Sequence, residues 1–188
     1  MNIVIFGPPG AGKGTQSKYI AKKYNLFQLS TGELLRKEIK NNTKLGNEIS
    51  SLINSGELVS DSIVSDLIEK FIFNKDYNNR LIFDGYPRNI NQAMNLDNLL
   101  KNQNKKIDIV LKLSVNLEII KKRITERQSL EKREDDNEKI AIKRFETYEN
   151  SIEPVINYYR KSNLLKVVNG ERSIIEISNE ISDLIDSI

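Results

Sequence analysis

The sequence contains no cysteine and no histidine. Zinc centres built on those ligands, disulfides, thiol nucleophiles and histidine general bases are thereby excluded, so zinc is not an expected cofactor. No stretch approaches the roughly 18 apolar residues of a spanning helix, and the first residues lack the charged and apolar regions of a secretory signal. No block of like charge forms a binding tail. A formal net charge of +3, with a pI near 8.9, is too small and too evenly spread to argue for nucleic acid. Internal repeats, low-complexity tracts and Pro/Gly/Ser-rich linkers are missing as well. What remains is a cytoplasmic protein of 188 residues, enough for one domain with small insertions. Its chemistry must rest on Arg, Lys, Asp, Ser, Thr and backbone groups.

Short β-rich apolar runs stand at residues 2–6, 26–29, 80–83, 107–113 and 164–168. The first is apolar on successive positions, the habit of strands buried on both faces of a parallel sheet. Segments with helical periodicity lie between them, most clearly at 137–161 and 173–185. Strands alternating with helices predict an α/β fold, a doubly wound five-stranded parallel sheet with its ligands at the carboxyl ends of the strands.

Directly after the first run comes G7-P-P-G-A-G-K-G-T15, followed by a helical stretch. A Gly, four residues and Gly-Lys between strand and helix form a phosphate-binding loop. Its N–H groups can turn inward on a phosphate, the helix N-terminus adds partial positive charge, and Lys13 supplies a mobile full charge for β- and γ-phosphates. The general motif carries Ser or Thr after the lysine. Here Gly14 occupies that place, and Thr15 follows as the displaced candidate hydroxyl for magnesium.

Four further segments bear on a second substrate. L29-S-T-G-E-L-L-R36 joins a strand to a helix that carries an arginine, with Ser30 or Thr31 as its cap. S55-G-E-L-V59 is a turn between helical stretches. F83-D-G-Y-P-R88 closes the third strand, where Asp84 is placed to organise magnesium through water and Arg88 can grip a phosphate through two hydrogen bonds. R123-I-T-E-R-Q-S-L-E-K-R133-E-D-D136 leads into a helix carrying Arg144. Arg123 and Arg127 are four apart on one helical face. Each segment also has a plain structural reading: a cap, a turn, a surface ion pair, or a charge-mixed hinge in which Asp135 caps a helix and Glu138 completes the box.

Taken in order, G-x-P-G-A-G-K-G-T, L-S-T-G-E-L-L-R, G-E-L-V, D-G-Y-P-R-x-x-x-Q-A and R-x-D-D resemble the adenylate kinase family over nearly the whole chain. The resemblance implies ATP on Gly10, Ala11, Gly12, Lys13, Gly14 and Thr15, flanked by Arg123 and Arg127 and, late in the chain, by Gly170 and Arg172. It implies AMP surrounded by Thr31, Arg36, Glu57, Leu58, Val59, Gly85, Tyr86, Pro87, Arg88 and Gln92, with Arg133 and Arg144 bridging toward the transferring group. The implied division is a core of 1–29, 60–125 and 137–188, a nucleotide-monophosphate-binding insertion at 30–59 and a lid at 126–136. Only five residues separate Arg127 from Arg133, so this is the short-lid form. Ser60 stands where the family often has Pro.

The implied reaction is reversible in-line transfer from ATP·Mg²⁺ to AMP, giving two ADP. An AMP phosphate oxygen is already a nucleophile, so no protein base is required, and Lys13, Arg88, Arg123, Arg133, Arg144 and Mg²⁺ would position and neutralise charge. A UMP/CMP kinase of the same fold is the nearest rival; Thr31 and Gln92 match the adenine-selecting pattern instead. A non-enzymatic nucleotide-binding module is the rival of another class, but N74-K-D-Y77 lacks the final Asp of a guanine-reading N-K-x-D. No heptad seam or long apolar edge argues against a monomer, and neither nucleic acid nor membrane is an expected partner.

Overall fold

A computed structural model describes residues 1–131 and 138–188, without the side chains of 130, 131 and 138. Five strands, β1 (Ile3–Phe6), β2 (Phe27–Ser30), β3 (Leu81–Asp84), β4 (Ile109–Ser114) and β5 (Leu165–Asn169), form one parallel sheet in the order β2-β3-β1-β4-β5. Along the chain lie the helices α1 (Lys13–Tyr24), α2 (Thr31–Lys40), α3 (Lys44–Asn54) and α4 (Asp61–Ile72). They continue with α5 (Ile90–Lys101), α6 (Leu117–Glu131), α7 (Glu138–Lys161) and α8 (Ile174–Asp186).

Side chains alternate across a strand, so β1 feeds two cores at once. Ile3 and Ile5 join Ile20 of α1 and Ile177 and Ile181 of α8 on one face. Val4 and Phe6 join Ile68 of α4, Leu96 of α5 and Val155 of α7 on the other. All four β1 residues are buried, each contributing about 1.5–3 kcal/mol relative to an exposed side chain. This two-sided burial is why the first run is continuously apolar.

The central strand β1 pairs with β3 on one side and β4 on the other. From the carboxyl end of β1 the chain passes through α1 to β2 on one side, and from that of β3 through α5 to β4 on the other, opening between them the crevice where doubly wound sheets bind ligands. The phosphate loop sits there. Beside it, the small helices α2 and α3 project between β2 and α4. Among the described residues, no helix is long and apolar enough to cross a membrane.

Candidate active site

Gly12 is the N-cap of α1 with φ of 94°, a left-handed conformation that favours glycine, and it offers no side chain to cap the helix. The first N–H groups of α1 are thus left to the loop's interior. Lys13 folds back across the loop, its Nζ donating to the carbonyls of Gly7 at 2.7 Å and Pro8 at 3.1 Å. A side-chain carbon built on Gly14 would stand 3.9 Å from Asp84 Oδ2, which brings the end of β3 beside the loop. That oxygen accepts a hydrogen bond from Gln28 Nε2 at 3.0 Å.

The turn after β3 is tied to the start of α2. Gly85, with φ of 80°, lies between the Thr31 hydroxyl and the Arg88 guanidinium. Its carbonyl accepts from Thr31 Oγ1 at 3.0 Å and from Arg88 Nε at 2.8 Å. Ser30 is the N-cap of α2, accepting from Glu33 N–H. Thr31 is thereby left to face the turn.

One cavity runs from the phosphate loop to α2 and the segment that follows α3. Lys13, Arg36, Arg88 and Arg144 reach it from four separate elements. Thr31, Leu58, Val59, Pro87 and Gln92 contribute to its walls, as do Glu57 and Gly85. The cations sense one another. Burial, reinforced by Arg88, Arg144 and Arg127, pushes the Lys13 ammonium down to about 8 against the pull of Asp84. Burial and the neighbouring Arg144 push Arg88 down to about 10. Cations crowded to this degree form an environment that favours an anion.

Other expected site residues fall elsewhere. Arg123 Nη1 donates to Ala11 O at 3.4 Å, which ties α6 to the phosphate loop. Arg127 lies close enough to bear on Lys13. Gly10 packs against Ile120 and Ile124 of α6, and Thr15 is exposed. Gly170 N–H donates to Ser114 O at 2.9 Å, and Arg172 pairs with Glu180. Tyr86 does not line the cavity: it is fully buried in the core, and its hydroxyl donates to Gln92 O at 3.2 Å. Arg133, Asp135 and the lid assigned to 126–136 lie wholly or partly outside the described residues.

Residues that the sequence reading passed over also line the cavity. Thr147, Tyr148, Ser151 and Ile152 of α7 do so together with Arg144. Their spacing of three, four, seven and eight from Arg144 is the signal that could have found them, since it marks one helical face. Among the described residues, Tyr148 Oη is buried without a hydrogen-bond partner, and burial pushes its pKa upward.

Comparison with known proteins supplies independent findings. Residues 5–164 match the family model described as adenylate kinase. An adenylate kinase of Pelagibacter ubique is 43% identical over 211 residues, spanning 98% of this chain and 99% of the relative. One of Azobacteroides pseudotrichonymphae is 44% identical over 192 residues, spanning 100% and 98%. One of Archaeoglobus fulgidus is 35% identical over 215 residues, spanning 100% and 99%.

Proposed function

The chain belongs to the adenylate kinase family and is an ATP:AMP phosphotransferase, and from that premise we propose how its own residues divide the work. The donor triphosphate lies on Gly10 to Thr15, with Lys13 released from the loop carbonyls to the β- and γ-phosphates. Arg123 and Arg127 flank it, and Gly170 and Arg172 lie toward its adenine. The acceptor fills the cavity, its phosphate held by Arg36, Arg88 and Arg144 and its base lodged among Thr31, Leu58, Val59 and Gln92. Arg133 joins Arg144 at the transferring group.

An oxygen of the AMP phosphate attacks the γ-phosphorus of ATP. A P–O bond forms as the bond to the β-bridging oxygen breaks, and the departing ADP keeps that electron pair. The chain's part is to align the two nucleotides and oppose the charge spread over the transferring group. Asp84, a hard oxygen donor beside the phosphate loop, fits Mg²⁺, which keeps its waters and takes few carboxylates; Thr15 is a second candidate. Mg²⁺ brought with ATP would neutralise phosphate oxygens there.

The supporting observation is the meeting of Lys13, Arg36, Arg88 and Arg144 on one cavity with a mixed apolar and amide end. Nucleotide-switch function needs no such second set of cations. We further assign a monomer acting in the cytoplasm, built as a core, an insertion at 30–59 and a short lid at 126–136.

The test is phosphoryl transfer by the purified protein from ATP·Mg²⁺ to AMP, CMP, UMP or GMP in separate reactions. Rapid ADP formation with AMP alone is expected. Preference for CMP or UMP would overturn the base assignment, and transfer to no acceptor would overturn the roles given to the arginines.

A further inference from the structure

The cavity wall contains an amide whose orientation is set from two sides. Gln92 is 3% exposed. Its Oε1 accepts from the backbone N–H of Arg88 at 2.7 Å, and its Nε2 donates to Asp61 Oδ1 at 2.7 Å. A backbone N–H can only donate, and a carboxylate can only accept. Rotating the amide by half a turn would set donor against donor at one end and acceptor against acceptor at the other.

Asp61 is itself anchored. Asn89 Nδ2 lies 2.9 and 3.0 Å from its two oxygens, while Asn89 Oδ1 caps α5 by accepting from Gln92 N–H at 2.9 Å. The first residue of α4 is thereby tied to the first turn of α5. Asp61 is not part of the cavity wall, whereas Gln92 is.

With those two bonds made, Gln92 retains one N–H and one lone pair, held in a fixed left-to-right order. Adenine offers an amino donor beside a ring-nitrogen acceptor and can meet that pair. Hypoxanthine, guanine and uracil offer a carbonyl beside an N–H, the opposite order, and meet it with two mismatches. Cytosine shares adenine's order, so its exclusion falls to the shape of the cavity.

We propose that Asp61 is a positioning residue for acceptor selection: by holding Gln92 Nε2, it fixes the amide in the orientation that accepts amino bases and refuses oxo bases. This inference rests on the placement of the acceptor base proposed above and adds to it the residue that enforces the choice. Nothing in the short sequence around Asp61 announces such a role, because its partners lie 28 and 31 positions away.

The test compares kcat/KM for AMP and for inosine monophosphate in the unaltered protein and in Asp61→Asn. Inosine monophosphate reverses the order of donor and acceptor with little other change. Asparagine can turn either end toward Gln92, so the flipped amide then meets one mismatch, against the backbone N–H of Arg88, instead of two. The preference for AMP over inosine monophosphate is expected to fall on the order of tenfold, about the effect of one mismatched buried hydrogen bond, with the change carried by KM. Equal loss for both acceptors would overturn the proposal, since that is what a purely structural Asp61 predicts. Should Asp61→Asn not fold, Asp61→Ser, whose hydroxyl can donate or accept, is read in the same way. Failure of the unaltered protein to use AMP would overturn the acceptor assignment itself, and is distinguishable from an unchanged preference in the variants.

Discussion

Lys13 illustrates how far a single residue's chemistry depends on its neighbours. Its loop carbonyls, Gly7 O and Pro8 O, favour the ammonium, yet burial and nearby guanidinium groups lower its pKa to about 8. The charged form is thus present below about pH 8 and is lost as pH rises through that value. Since kcat/KM reports the free enzyme, its value for ATP is expected to decline on an alkaline limb centred near 8. Arg144→Met removes one repelling cation, so the limb should move to higher pH even though turnover is lower. Profiles of kcat/KM from about pH 7 to about pH 10 would check this; a limb at the same pH in both proteins would show that Arg144 does not act on Lys13. The lysine and its glycines are legible in seven consecutive letters because the phosphate loop is a local structure. The Gln92–Asp61 bond is not, because no local pattern announces a contact 31 positions apart.

At the scale of elements, periodicity locates every strand but not its ends. The runs at 2–6, 26–29, 80–83 and 164–168 become Ile3–Phe6, Phe27–Ser30, Leu81–Asp84 and Leu165–Asn169. Most shift toward the carboxyl end, where polar Ser30, Asp84 and Asn169 still pair with their neighbours although no apolar pattern marks them. Those polar ends are also where the site begins. The packing of α2 on α3 is less legible, since it depends on backbone proximity. A side-chain carbon on Gly46 would collide with the carbonyl of Glu38, so the two helices approach closely at that point. Gly46→Ala must push α3 away from α2, at a cost of about 1–3 kcal/mol. Because the insertion carries Arg36 and Leu58, KM for AMP is expected to rise several-fold more than KM for ATP. Steady-state kinetics with each substrate varied, beside a thermal melt, would test it. Equal effects on the two would argue that the insertion serves both sites.

Across the whole molecule, stability and chemistry occupy opposite ends of the sheet. At the amino ends of the strands, the fully buried Asn2 joins three segments through one side chain. Its Nδ2 donates to Asn79 Oδ1 and Lys106 O, both at 2.9 Å, and its Oδ1 accepts from Leu81 N–H at 3.2 Å. At the carboxyl ends, burial together with Arg88 and Arg144 lowers the proton affinity of Lys13, and burial together with Arg144 lowers that of Arg88, the mark of charges assembled for a ligand at some cost to the fold. The two ends should therefore respond in opposite ways. Asn2→Ala leaves buried partners unsatisfied and is expected to cost about 2–3 kcal/mol, lowering Tm by roughly 4–10 °C. Its kcat at 25 °C should remain within about twofold of the unaltered protein, because Asn2 lies at the opposite end of β1 from the phosphate loop. Arg88→Ala should hold or raise Tm by relieving the repulsion, while kcat falls by orders of magnitude as the transferring phosphate loses a charged partner. Calorimetry and turnover on the same two preparations decide the matter. A large loss of turnover in Asn2→Ala, or near-normal turnover in Arg88→Ala, would show that the sheet does not separate folding from phosphoryl transfer in this way.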